Sequence, residues 1–177
     1  MRRIKKYLSR DSLITLVHAF ITSRLDYCNG LLFGLPKAKI AKLQRVQNAA
    51  ARRILGIGKF SHITAALYEL HWLPVSLPID YKILLLTFKC IYGLAPTYLS
   101  DLISIKSNSL YNLRFAGKLL LDHLKGKMLT TFRARSFSTA APKLWTGLPV
   151  ELRQATSLNI FKFRLQTYLF KKYFYSL

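Results

Sequence analysis

Residues 23–58 read SRLDYCNGLLFGLPKAKIAKLQRVQNAAARRILGIG and carry the clearest fold signal of the chain. Gly34 and Pro36 are typical of the end of one helix and the first residue of the next. Beyond the proline, apolar residues recur at helical spacing until glycines interrupt them. The segment therefore predicts a helix over roughly residues 12–33, a Leu-Pro turn and a second helix over roughly residues 37–55.

The second of these helices is predicted to be amphipathic and strongly basic. Its apolar stripe is expected to consist of Leu43, Val46, Ala50 and Ile54. Its basic side chains are expected to be exposed on another face and are Lys42, Arg45, Arg52 and Arg53. Such a stripe can follow a phosphate backbone. An ordinary solvated helix face has the same composition, so this alternative stays open.

The rest of the chain is also mainly helical by pattern. The stretch from Ile79 to Tyr92 is apolar on nearly every side, which predicts a buried central helix. Further helices are expected near residues 62–70, 98–103, 136–145 and 157–173. Ser, Asn, Lys and Gly around residues 104–118 predict a loop or linker. After it, two short apolar runs on either side of Lys125-Gly126-Lys127 predict a small β-hairpin.

The hairpin and its exit form a second predicted basic patch. Its cations are Lys125, Lys127, Arg133 and Arg135, interleaved with Phe132 and Phe137. Arginine and aromatic side chains together can engage phosphates and stack on unpaired bases. A hairpin whose aromatic residues simply belong to the core is the competing interpretation.

Charge is the strongest constraint on partners. The chain of 177 residues has 28 Lys and Arg against 7 Asp and Glu, a formal net charge of +21. A polyanion is the expected partner, with nucleic acid first and an anionic membrane surface second. No segment is long and apolar enough to predict a transmembrane helix, and we expect no membrane partner.

The spacing of the acidic residues along the sequence argues against a nucleotidyl-transfer active site. No two of the seven lie within ten residues of each other in the sequence. Nucleotidyl transfer needs two metal ions held by clustered carboxylates. Walker-type loops, Gly-x-Gly-x-x-Gly and Gly-x-Ser-x-Gly motifs are also missing from the sequence. The sequence therefore predicts a protein that is not an enzyme, with no cofactor, no metal site and no small-molecule substrate.

The two cysteines, Cys28 and Cys90, lie far apart in apolar contexts without a second ligand at metal-binding spacing. We expect both to be free buried thiols in a reducing compartment. An intracellular location follows from this expectation, either nucleus or cytoplasm.

Five sequence blocks follow one another along nearly the whole chain. They are RLDYCNGLLFGLP with LQRVQNAAAR, HWLPV at residues 71–75, YKILLLTFK at 81–89, GLAPTYL at 93–99, and AAPKLW at 140–145 followed by Leu148-Pro149. In this order they resemble the segment after the polymerase core of non-LTR (LINE-type) retrotransposon reverse transcriptases, especially those of LINE-2 and chicken-repeat elements. The resemblance extends from about Asp11 to Phe170.

This resemblance implies a post-catalytic region, the thumb plus a C-terminal extension, without the catalytic aspartates. Its implied role is to grip template-primer duplex or element RNA. The predicted organisation is a helical thumb-like domain over residues 1–107, a linker over 108–118 and a hairpin-plus-helices module over 119–177. The predicted fold class is mainly α, built around the buried central helix. The alternative function is a helical protein-interaction or structural domain, or a genomic remnant without a nucleic-acid role.

Overall fold

The computed structural model describes residues 7–105, 120–122 and 133–175. Its α-helices are α1 (Arg10–Val17), α2 (Ser23–Asp26), α3 (Lys37–Leu55), α4 (Ile63–Glu69), α5 (Ser76–Ile91), α6 (Thr97–Ser100), α7 (Phe137–Thr146), α8 (Val150–Arg153) and α9 (Leu158–Phe174). The predicted mainly α class is confirmed. Across the described ranges no strand forms, and one isolated antiparallel bridge joins Ile105 to Leu121. None of the described helices is long and apolar enough to cross a bilayer.

The predicted β-hairpin is not seen. Its turn, Lys125-Gly126-Lys127, lies outside the described residues. At its predicted exit, Arg133–Arg135 forms a 3-10 turn that leads into α7, not a strand. The Ser136 hydroxyl donates to the Arg133 carbonyl at 2.7 Å, and the Ser136 N–H donates to the same oxygen at 3.1 Å. Local bonds of this kind compete with strand pairing.

The chain divides into two compact units, Met1–Ile79 and Asp80–Leu177. The predicted linker over 108–118 lies outside the described residues. The predicted organisation into 1–107, 108–118 and 119–177 therefore stays a prediction.

The core of the first unit forms between α1 and α3. Its buried residues are Leu13, Val17, Ala50 and Ile54, with Trp72 packed at the edge. Helix α1 begins at Arg10, since the Ser9 hydroxyl accepts the Ser12 N–H at 3.1 Å. Ser9 is thus the N-cap, and the helix begins two residues before the predicted start near residue 12.

The first helix ends earlier than the sequence predicts. A π-helical turn, His18–Thr22, connects α1 to α2, and α2 ends at Asp26. Cys28 then adopts a left-handed backbone with φ of 51°. The chain turns here, and Asn29 is buried with its Nδ2 donating to the Asp26 carboxylate at 2.8 Å. Cys28 is consequently exposed, so the expectation of a buried thiol is wrong for Cys28 and confirmed for Cys90.

Two glutamines of α3 fix the connection between α4 and α5. The Val75 N–H donates to Gln44 Oε1 at 2.8 Å, and Gln47 Nε2 donates to the Leu73 carbonyl at 2.9 Å. These bonds satisfy backbone groups of a segment that belongs to no helix. They also join two of the sequence blocks, LQRVQN and HWLPV, within one unit. The half-buried side of α3 is therefore partly polar.

The second unit has an aromatic core. Phe88 of α5 stacks on Phe161 of α9 with ring centroids 4.4 Å apart, and Trp145 of α7 lies 5.8 Å from Phe161. Phe88, Trp145 and Phe161 are all almost completely buried. The prediction of a buried central helix is confirmed for this face of α5, although Leu85 and Leu86 are only half-buried.

Candidate nucleic-acid interface

Helix α3 carries six Lys and Arg residues and no acidic residue. Lys37 and Lys39 lie in its first turn, where positive charge opposes the helix macrodipole. No acid stands three or four positions away within α3 to offset the repulsion. Helix stability thus favours the basic residues only in the last turn, where Arg52 and Arg53 lie. The macrodipole does not account for the positive charge of the N-terminal half.

An open groove of about 510 Å³ lies along the C-terminal half of α3. Four cations line the groove: Arg45, Arg52, Arg53 and Lys59. The rest of the lining is uncharged and consists of Asn48, Ala49, Gly56 and Ile57. Among the described residues, no carboxylate lines this groove. It will be called the α3 groove.

The structure brings together three of the four predicted residues of the basic stripe. Arg45, Arg52 and Arg53 line the α3 groove, whereas Lys42 is exposed on the same helix without lining it. The sequence analysis did not predict Lys59 as part of this site. Lys59 lies in the turn after α3, and helical periodicity does not predict the position of a residue in a turn. The pair Gly56 and Gly58 was the signal that could have placed it next to the helix end.

The predicted exposure of the basic stripe holds only for part of it. Lys42 and Arg45 are exposed, but Arg52 and Arg53 are half-buried. Conversely, Val46 is 47% exposed although it was expected on the apolar stripe. Its place on the buried side is taken by Ala51, which is fully buried beside Ala50 and Ile54. The small side chains at Ala50 and Ala51 suit the close packing of that face.

Arg52 lines the α3 groove and also bonds to the segment that follows α3. Its Nη2 donates to the Ser61 carbonyl at 3.3 Å. Its Nε is buried and has no hydrogen-bond partner. A buried donor without a partner carries a desolvation cost. Arg52 therefore ties the segment after α3 to the helix and is less free to move than Arg45.

The end of α3 positions Lys59 at the groove. Gly56 adopts φ of 70° and ends the helix in a left-handed cap, with its N–H donating to the Arg52 carbonyl. A tight turn follows, closed by the Ser61 N–H donating to the Gly58 carbonyl at 3.2 Å. Lys59 occupies the second position of this turn.

Two acidic residues of the first unit are engaged away from the groove lining. Glu69 pairs with Arg10, with Oε1 2.7 Å from Nη2. Asp26 accepts from Asn29, as described above. Residues 1–79 contain 13 Lys and Arg against 3 acidic residues. The field at the α3 groove is therefore strongly positive.

The second predicted patch is only partly described. Arg133 is exposed and Arg135 half-buried on the 3-10 turn before α7, and Phe137 at the start of α7 is half-buried. Lys125, Lys127 and Phe132 lie outside the described residues. The patch as a binding site stays a prediction.

Within the described ranges, no group of three or more His, Cys, Asp and Glu residues could hold a metal ion. Comparison of the chain with protein-family models, with curated proteins and with solved structures finds no match. The resemblance to LINE-type reverse transcriptases and the absence of catalytic activity stay predictions.

Among the described residues of the second unit, Asp80 has the most strongly shifted carboxyl pKa. Burial raises the pKa of its carboxyl from 3.8 to about 6. The positive charges of Lys172 and Lys143 lower the pKa but do not outweigh burial. The folded state thus binds this proton more tightly than the unfolded chain does.

We expect Asp80→Asn to raise the free energy of unfolding near neutral pH by about 1–3 kcal/mol. The stability that the neutral carboxyl contributes is complete below about pH 4 and is lost as the pH rises through about 6. The advantage of the variant should therefore vanish near pH 4. Urea denaturation of the variant and the parent at both pH values measures this. Asp101→Asn, at an exposed position, is the control, and an advantage independent of pH would contradict the assignment.

Proposed function

We propose that this chain is a non-catalytic nucleic-acid-binding protein whose α3 groove holds phosphate groups without sequence preference. The observation that supports this most is the convergence of four cations on one groove that no described carboxylate lines. Arginine and lysine side chains of this kind contact phosphates in most nucleic-acid complexes. The resemblance seen in the sequence points to the same class of ligand. On that basis the chain is a post-catalytic fragment of a LINE-type reverse transcriptase that grips RNA or RNA/DNA duplex in the nucleus or cytoplasm.

A membrane surface fits the same charge less well. An interfacial helix needs an apolar face free to enter the lipid. The apolar face of α9, a helix with a basic last turn, contains Phe161, Leu165 and Leu169, which are buried in the second unit. Three of the six basic residues of α3, Arg45, Arg52 and Arg53, line a concave groove, which suits a nucleic-acid strand more than a flat surface. Nucleic acid is therefore the preferred polyanion.

The affinity for nucleic acid should fall steeply with salt. If the four groove cations and Lys42 neutralise about five phosphates, log affinity should change with log salt at a slope of about −4.5 on duplex and about −3.5 on a single strand. Fluorescence anisotropy with labelled oligonucleotides between about 50 and 200 mM salt measures both slopes.

Two results of the same measurement would contradict the proposal. A protein-interaction or structural domain whose charge only keeps it in solution should bind no oligonucleotide at about 50 mM salt. Binding that does not change with salt would also exclude a phosphate-based interface. A heat-denatured sample of the same chain controls for simple adsorption of a basic polypeptide.

A further inference from the structure

Phe60 is the most exposed large apolar side chain that the structure describes, with 94% of its surface accessible. Burial of a phenylalanine ring lowers the free energy of the folded state, and the exposed Phe60 ring makes almost no such contribution. Single exposed apolar residues are common on protein surfaces. The surroundings of Phe60 are what make it informative.

Phe60 does not itself line the α3 groove, but the residue before it does. Phe60 occupies the third position of the turn Gly58–Ser61, directly after Lys59, which lines the groove. The Lys59 Nζ lies 5.8 Å from the centroid of the Phe60 ring. The Ser61 carbonyl at the end of the turn accepts from Arg52 of α3. The turn that carries the ring is thus fixed to the helix that carries the cations.

We propose that Phe60 is a stacking platform for an unpaired base, so that the preferred ligand of the α3 groove is a single strand of RNA or DNA. The inference rests on the proposed function and makes its ligand specific. An aromatic ring beside a cationic groove is the combination that holds single strands, because the groove follows the backbone while the ring stacks on a base. In a duplex the bases are already stacked on their neighbours and their faces are closed to Phe60. The platform therefore discriminates by strandedness.

An apolar protein partner fits the position less well. The lining next to Phe60 contributes four cations and a single sizeable apolar side chain, Ile57. A protein interface needs an apolar centre from which charges are depleted. One ring among cations is sufficient for a base, since every base offers a flat face.

The test uses the full chain with an unstructured 12-nucleotide strand, within the usual span of about 4–16 nucleotides, and a duplex of the same length. Phe60→Ala should weaken binding of the single strand about 5- to 100-fold and leave the duplex within about twofold. Phe60→Trp should keep or raise the single-strand affinity. Phe60→Leu, which keeps the apolar bulk without the aromatic face, should lose it. Ribose and deoxyribose strands should respond alike, since stacking does not use the 2′-hydroxyl.

Tyr27→Ala is the matched control, because Tyr27 is another highly exposed aromatic residue of the same unit and lies outside the turn that carries Lys59. It should bind both ligands as the parent does. Full single-strand binding by Phe60→Ala or by Phe60→Leu overturns the stacking role, as does an equal loss on duplex. A parent chain that binds neither ligand removes the proposed function itself. A parent that binds both while Phe60→Ala changes nothing removes only the platform.

Discussion

Phe88→Ala is expected to lower the free energy of unfolding by about 3–5 kcal/mol. The Phe88 side chain is almost completely buried, and its ring lies 4.4 Å from that of Phe161 and 4.3 Å from that of Tyr92. The substitution removes the transfer free energy of a whole ring and leaves a cavity that the neighbouring rings can only partly fill. A loss of this size is a large part of the total for a domain of typical stability, about 5–15 kcal/mol. Urea denaturation followed by circular dichroism measures it.

The matched control is the same substitution on the solvent side of the second unit. Phe163 of α9 is 72% exposed, and Phe163→Ala should change stability by no more than about 0.5 kcal/mol. Similar losses in the two variants would mean that the aromatic core does not carry the stability of this unit. A loss below about 1 kcal/mol for Phe88→Ala would lead to the same conclusion.

The helical elements of this fold could be predicted because their signals are local. Pro36 and Gly56 mark both ends of α3, and the predicted range 37–55 matches the observed helix. The last helix, predicted near residues 157–173, is observed as α9 over Leu158–Phe174. In each case a stop signal and an apolar period act on the same few residues, so no tertiary information is needed.

The apolar periodicity gave a wrong prediction where tertiary contacts determine which side of a helix is buried. Val46 fits an ideal stripe on α3, yet the buried side of the helix is rotated toward Gln44 and Gln47. These glutamines are drawn inward because the loop at residues 73–75 has backbone groups to satisfy. A pattern that scores apolar residues alone cannot detect this. The premature end of the first helix has a similar origin, since the left-handed backbone at Cys28 occurs at a residue that sequence rules do not associate with it.

The sequence predicted the part of the candidate site that lies on α3, but not the part that depends on tertiary contacts. The charge of α3 is visible in the sequence, and Arg45, Arg52 and Arg53 do line one groove. Lys59 reaches it only through the turn after α3. Helical spacing also cannot show that Arg52 is half-buried and bonded to the Ser61 carbonyl. A charge reversal at Arg52 would therefore change the turn as well as the field, and it cannot test binding alone.

Lys42→Glu combined with Arg45→Glu avoids this problem, because both side chains are exposed. We expect the pair to weaken binding to the oligonucleotides about 10- to 100-fold at low salt and to reduce the salt slope on duplex by about 2, since two phosphate contacts are lost. The melting temperature should change little, because the replaced charges opposed one another and had no acidic partner within α3. The control is Arg164→Glu with Lys171→Glu on α9, which changes the net charge equally at exposed positions outside the α3 groove. Equal weakening in the two double variants would show that the ligand responds to total charge alone and would remove the α3 groove as the interface.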